Sequence, residues 1–196
     1  MYPLEFPTYL IRNLSYRLVR IQGVNTSVFT GHQEVFDHGH YWEGELTLKA
    51  LNKSEAFLFQ SFLLKLKGLL GSFTMAFKDK EVPLGEANRT PIINSFISDT
   101  KLEVSNLLAN QTLLKSGDML GFSNGEYKML VEDLTADAQG VALATIEPGL
   151  RVYPGLGSSI DINPAKGVFR LSNQVDFVVS NAMHYSFSMS FREVIA

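Results

Sequence analysis

Residues 183–192 read MHYSFSMSFR, and this stretch decides the fold class of the chain. Large apolar side chains alternate there with small or polar ones: Tyr185, Phe187, Met189 and Phe191 against Ser186, Ser188, Ser190 and Arg192. Strict alternation predicts a β-strand with one face in a core or an interface and the other in water. Because the strand runs almost to Ala196, we expect it to pair with a segment far back in the chain.

A matching pattern occurs in residues 41–51. Trp42, Leu46 and Leu48 fall on one face of a strand, whereas Glu43 and Glu45 fall on the other. Two well-patterned strands separated by a segment of different composition suggest one domain interrupted by another. The expected domains are 1–85 together with 166–196, and an insert at 86–165.

Composition restricts the functional classes. The 196 residues include no cysteine, which excludes disulfides, thiolate chemistry and cysteine-bound zinc. Residues 1–10 lack the basic and apolar regions of a secretory signal. The longest apolar stretch, 57–70, is interrupted by Gln60, Lys65 and Lys67 and is too short to span a bilayer. We therefore expect a soluble protein made in a cytoplasm, with no membrane partner.

The charge is unevenly distributed. The chain has a net charge of −3, but residues 86–165 alone contain 10 Asp and Glu against 5 Lys and Arg. Affinity for nucleic acid comes largely from Lys and Arg that release counterions from phosphates. The acidic middle segment therefore argues against phosphate binding there.

Before residue 86 the pattern predicts strands and one helix. Strands are expected at 16–22 and 27–36, with a turn at 23–25, which gives an antiparallel meander with the strand of Trp42. Asn52 and Glu55 have the spacing of a capping box. After them Phe59, Phe62 and Leu63 begin a helical repeat that packs on the sheet.

The insert reads as short strands separated by turn residues. Strands are expected at 92–97, 101–107, 118–122, 127–132 and 141–146, with a hairpin turn at Asp137–Gly140. Five strands without a convincing helix suggest a small barrel of the OB kind or a small sandwich.

Several phrases then form a familiar series. They are Tyr41-Trp42-Glu43-Gly44 up to Glu55, Leu114-Lys115-Ser116-Gly117-Asp118, the hairpin from Glu132 to Ile146, Pro148-Gly149-Leu150-Arg151, and Gly167-Val168-Phe169-Arg170-Leu171. In this order they resemble the distal tail proteins (Dit type) of long-tailed bacteriophages, in the branch that carries an inserted OB-like domain. The resemblance covers most of the chain from about residue 15, whereas residues 1–13 match nothing recognised.

The resemblance implies a mainly β (α+β) fold: a tube-type antiparallel β domain with one packed helix, interrupted by a small OB-like β-barrel. It implies a structural virion component without catalysis or cofactor. Copies of such a protein, typically six, form a ring at the tail tip. The ring joins the tail tube protein to the tip hub or baseplate protein, and DNA only passes through its lumen.

Two sets of residues follow as candidates. Glu43 and Glu45 share one strand face, which would look into the lumen of a ring and repel passing DNA, or would be an ordinary wet sheet face. The second set is either core or subunit interface: Trp42, Tyr185, Phe187 and Phe191.

The main alternative is a carbohydrate- or receptor-binding module, in which Phe122, Tyr127 and Tyr153 of the insert stack a ligand. A hydrolase would need titratable groups that converge on one site. No serine lies in a nucleophile-elbow sequence such as G-x-S-x-G, and His184 is isolated on the polar face of the last strand, so the sequence does not favour this class. A metal site at His32, His38, His40 and Glu43 is disfavoured, because a polar turn explains them equally well. We therefore expect no metal.

Overall fold

The computed structural model describes residues 3–179 and 185–195. Within these ranges the chain has one α-helix, α1 (Lys53–Leu66), and two short 3₁₀ turns. The strands are β1 (Leu4–Glu5), β2 (Ile11–Thr26), β3 (Gln33–Leu48), β4 (Phe73–Met75), β5 (Ile92–Phe96), β6 (Lys101–Ser105), β7 (Thr112–Leu114), β8 (Met119–Gly121), β9 (Tyr127–Leu130), β10 (Leu134–Thr135), β11 (Ala142–Glu147), β12 (Gly167–Leu171), β13 (Val178–Val179), β14 (Tyr185–Ser186) and β15 (Ser188–Glu193). This confirms a mainly β protein with one helix, and its curled sheets include a half-barrel.

The larger sheet has six strands in the order β1-β4-β12-β15-β3-β2. The last strand, β15, lies antiparallel to β3, with Phe191 opposite Gly44 and Arg192 opposite Glu43. On its other side β15 pairs with β12. The predicted long-range pairing of the final strand is therefore confirmed, although Met183 and His184 lie outside the described residues.

The first two long strands form one hairpin, which corrects the predicted turn at 23–25. β2 and β3 have sixteen residues each, and their pairing continues through Gly23 opposite Phe36 to Thr26 opposite Gln33. The chain reverses at 27–32 instead, where Ser27 N–H donates to the His32 carbonyl at 2.9 Å. Gly31 supplies the positive φ of +70° that this turn needs. The glycine and asparagine at 23–25 suggested a turn, but their backbone is extended and paired.

Helix α1 begins as predicted. Asn52 Oδ1 accepts from the Glu55 N–H at 2.9 Å and Glu55 Oε2 accepts from the Asn52 N–H at 3.1 Å, which completes the capping box. The helix buries Ala56, Phe59, Leu63 and Leu66 against the six-stranded sheet, and Phe62 is only partly buried. It ends at a left-handed Lys67.

The second sheet has five strands in the order β5-β6-β11-β9-β8, and a separate pair joins β7 to β10. All five strands predicted for residues 86–165 are present with shifted ends, whereas β7 and β10 were not predicted. The turn at Asp137–Gly140 is confirmed, with Gly140 at φ +73°, but it connects β10 to β11.

Two hydrophobic clusters lie under these sheets. One draws on the six-stranded sheet and α1 and includes Phe59, Phe73 and Phe169, together with Tyr127 from β9. The other is formed by residues between Ile93 and Ile162. The described ranges contain no helix that is long and apolar enough to cross a membrane.

Candidate functional site

Glu43 and Glu45 lie on the face of the six-stranded sheet that points away from α1. Their neighbours in β3, Trp42 and Leu46, are buried on the opposite face. The carboxylate of Glu43 is held by Arg17 Nη2 at 2.6 Å and lies 4.0 Å from Arg192 Nη2. Glu45 is exposed and lies opposite Ser15 and Ser190.

The charge of this outer face is mixed. Because directly opposed residues of antiparallel strands share a face, Arg17, Arg192 and Arg170 lie on the side of Glu43 and Glu45. Around Glu43 and Glu45, three arginines against two glutamates replace the acidic surface expected from the glutamates alone, and further along the face Glu5 is paired with Lys166. The sequence could not show this, because the register between distant strands decides which side chains share a face.

The second predicted set lies mostly inside the chain. Trp42, Phe187 and Phe191 are buried in the first hydrophobic cluster, and Tyr185 is partly buried against it. The Phe187 ring packs edge-on against Phe59 of α1, with 5.0 Å between ring centroids. In a folded single chain these three buried rings are core residues.

The three residues predicted to stack a ligand differ in their exposure. Tyr127 is 0% exposed and Phe122 is 4% exposed, so neither ring has a face open to a ligand, and for these two the stacking prediction is wrong. Tyr127 packs into the first cluster and Phe122 into the second. Tyr153 is exposed, and its ring lies 4.7 Å from that of Phe96.

A buried polar junction connects the two sheets, and sequence reasoning missed it. Glu193 of β15 accepts from Arg151 Nη2 at 2.8 Å and from the Trp42 N–H at 3.0 Å. Lys128 of β9 is fully buried and lies 2.7 Å from Glu126. No buried side-chain nitrogen or oxygen among the described residues lacks a hydrogen-bond partner. The junction therefore satisfies the polar groups that it buries.

His40 of β3 completes this junction. Its Nε2 lies 2.9 Å from the Gly149 carbonyl and 3.5 Å from Lys128 Nζ, and because a carbonyl can only accept, the shorter contact favours the tautomer with the proton on Nε2. Arg151 Nη1 donates to the His40 carbonyl at 2.8 Å. His40 thus ties the long hairpin to residues 149–151.

Burial and charge shift the pKa values of the junction. Burial lowers the pKa of His40, and the positive charges of Lys128 and Arg151 lower it further. Burial also lowers the pKa of Lys128, against the effect of Glu126 and Glu193. For Glu126, burial alone would raise the pKa, but the hydrogen bond and charge of Lys128, together with the backbone N–H groups of Arg151 and Val152, outweigh it and the pKa is lowered. The junction therefore favours a neutral His40 and an ionised Glu126.

Two exposed apolar surfaces are the other features that the sequence did not reveal. The apolar tip comprises Val24, Val28, Phe29 and Val35 at the end of the β2–β3 hairpin. The outer face of α1 comprises Phe57, Leu58 and Leu64, which point away from the buried side of the helix. An apolar turn at 27–32 could have been noticed as a signal, because turns are normally polar.

The other chemical candidates receive no support from geometry. No group of three or more His, Cys, Asp or Glu side chains in the described part of the chain is placed to hold a metal ion. His32 and His38 are exposed on the hairpin, whereas His40 is half-buried. His184 lies outside the described residues.

Comparison with known proteins gives neither a match to a family model nor a match to a curated protein.

Proposed function

We propose that this chain is a structural component of a bacteriophage tail, of the distal tail type, that assembles with copies of itself into a closed ring of six. In this proposal the ring lies at the tip of the tail in the virion, between the tail tube protein and the hub or baseplate protein. Residues 1–85 and 166–196 form its tube-type domain, and 86–165 form an OB-like insert. The sequence resemblance supports the phage assignment.

The observation that carries self-assembly is the long β2–β3 hairpin. β2 is the edge strand of the six-stranded sheet, so its outer side has no partner strand within the described chain. Before Tyr41, β3 does not pair with β15, and the hairpin continues as a two-stranded ribbon with large apolar side chains exposed. Free strand edges and exposed apolar patches are the usual surfaces of assembly.

Electron microscopy of the purified chain over a range of concentrations tests this proposal. The chain is imaged alone and mixed with the tube or hub protein encoded beside it. Closed six-fold rings are expected, and mass photometry should give a matching discrete mass. A chain that stays monomeric with both partners would overturn the ring proposal.

Tyr153 and Phe96 support a second candidate function, carbohydrate binding by the insert. Their rings form an aromatic pair with the exposed Val152 and Leu156 nearby in the chain, and such a surface can stack on a sugar ring. Titration of the full chain with a panel of cell-wall oligosaccharides, followed by tyrosine fluorescence or calorimetry, tests this function. Saturable binding that Tyr153→Ala removes and Tyr9→Ala retains would establish it, because Tyr9 is also an exposed tyrosine but lies outside the insert.

A further inference from the structure

The apolar tip has no core beneath it. Phe29 is 95% exposed and Val28 is 91% exposed. The ribbon between Arg20 and Thr26 extends about 20 Å, at about 3.3 Å per residue. Apolar side chains at the end of such an arm gain nothing from the fold of their own chain, so their burial requires another surface.

The outer face of α1 is the second exposed apolar surface, although the Phe57 ring on it lies 6.3 Å from that of Tyr185. Leu64 is 73% exposed and Leu58 is 68% exposed, although the opposite side of the helix is already buried in the core. A helix on a protein surface normally shows charged or polar residues on its outer side. Phe57, Leu58 and Leu64 are therefore exposed apolar side chains among Ser54, Ser61 and Lys65, on the side of the helix that the core does not use.

The charges around the two surfaces are complementary. Residues 24–35, at the end of the hairpin, contain Glu34 and no Lys or Arg, which gives a charge of −1 with a neutral histidine, whereas Asp37 lies nearer the base of the ribbon and 3.5 Å from Arg20. Residues 53–67 contain three lysines, at 53, 65 and 67, against Glu55, which gives +2. Two tips brought together would place like charges against each other, and so would two helix faces, whereas a tip on a helix pairs opposite charges.

We propose that the apolar tip of one copy packs on the outer face of α1 of a second copy, and that this contact links neighbouring subunits of the ring. The inference rests on the proposed ring and names the surfaces that close it. The two surfaces are different and lie on one chain, so each copy offers one of each. Such a head-to-tail contact generates a ring when its rotation closes. Phe29 is the expected anchor, since buried aromatic side chains dominate interface energies.

Cross-linking gives the first test, because the chain has no native cysteine. The double variant Phe29→Cys with Leu64→Cys is treated with a short bis-maleimide and separated by denaturing electrophoresis. A ladder that ends at the ring size is expected. The matched control is Phe29→Cys with Val82→Cys, since Val82 is similarly exposed but lies outside the helix, and it should stay monomeric.

Complementation gives the second test and isolates the head-to-tail geometry. Phe29→Asp keeps the helix face intact and Leu64→Asp keeps the tip intact, so each variant alone should lose all rings. An equimolar mixture restores one intact tip–helix contact and should give dimers that grow no further. Both positions are exposed, and far-UV circular dichroism verifies that each variant is folded.

The outcomes separate this inference from the proposed function. Two outcomes would overturn the tip–helix contact and leave the ring proposal standing. In the first, the wild-type chain forms rings but the double cysteine variant at positions 29 and 64 gives no ladder. In the second, either aspartate variant still forms rings. A wild-type chain that gives no rings, together with a double cysteine variant that gives no cross-links, overturns both. Dimers in the mixture together with the ladder support the contact.

Discussion

At the scale of single residues, Glu193 is the most consequential side chain of the junction. It is 2% exposed and accepts hydrogen bonds from Arg151 and from the backbone of Trp42 and Tyr127. Glu193→Ala removes one partner of a buried ion pair, so we expect the free energy of unfolding to fall by about 3–5 kcal/mol. Lys166→Ala is the matched control, because its pair with the exposed Glu5 should contribute less than about 1 kcal/mol. Equal losses in urea unfolding would contradict this prediction.

His40 gives the junction a pH dependence. Lys128, Arg151, Glu126 and Glu193 face it from the insert and β15, and Asp37 from its own strand. Because its pKa is lowered by folding, the unfolded chain binds the proton more readily, and stability is lost as the pH falls below the unfolded pKa of about 6.5. We expect the free energy of unfolding to be lower at pH 5.5 than at pH 7.5.

Comparison of histidine variants assigns that change. His40→Gln should reduce the difference between the two pH values, since it removes the titrating group while an amide can still donate to Gly149. His38→Gln, on the exposed ribbon, should leave the difference unchanged. An unaltered difference in His40→Gln would assign the pH dependence to other groups.

A further prediction at the scale of single residues concerns the charges of Glu43 and Glu45. Within the proposed ring they balance the three arginines around them on the outer sheet face, so their replacement by lysine would leave that part of the face with five cations. We expect the double variant to retain double-stranded DNA at low salt and to release it as salt rises. Filter binding measures this, with Glu86→Lys plus Glu132→Lys as the charge-matched control. Equal retention by both variants would show that only net charge matters.

At the scale of elements, we expect the buried side of α1 to stabilise the fold and its exposed side to mediate self-association. Phe59 is buried among Phe6, Phe62 and Phe187, so Phe59→Ala should lower the free energy of unfolding by about 3–5 kcal/mol. Leu64→Ala should leave stability nearly unchanged because its side chain is exposed, and should weaken self-association instead. Urea unfolding and mass photometry on the same two variants measure both effects. A large loss of monomer stability in Leu64→Ala would contradict this division.

The sequence predicted elements best where the signal is local. The capping box of Asn52 and Glu55, the turn at Gly140 and the alternation in β15 each depend on residues close in sequence. The turn predicted at 23–25 was wrong, because glycine occurs both in turns and in extended, paired strands, and the local sequence does not distinguish the two. The buried Lys128 was missed for another reason: its burial depends on Glu126 and on the distant β3 and β15, which no local pattern records.

At the scale of the whole molecule, Tyr127 joins the five-stranded sheet to the first hydrophobic cluster. It belongs to β9 of the five-stranded sheet, but its ring packs against Phe77 and Phe169 of the first cluster, at 5.0 Å and 6.1 Å between centroids. Its carbonyl accepts from the Trp42 indole at 2.8 Å. This side chain and the polar junction therefore join the two sheets, and the clusters should unfold together.

We accordingly expect the wild-type chain to unfold in a single transition. Trp42 is the one tryptophan and lies at the junction, so its fluorescence and the far-UV circular dichroism should change at the same urea concentration. Tyr127→Ala removes the coupling ring, and the fluorescence transition should then precede the loss of ellipticity. Tyr153→Ala is the control, because this exposed tyrosine packs on Phe96 of the second sheet and lies outside the first cluster. Coincident transitions in Tyr127→Ala would show that the buried ion pairs of Glu193 and Lys128 suffice to hold the two sheets as one unit.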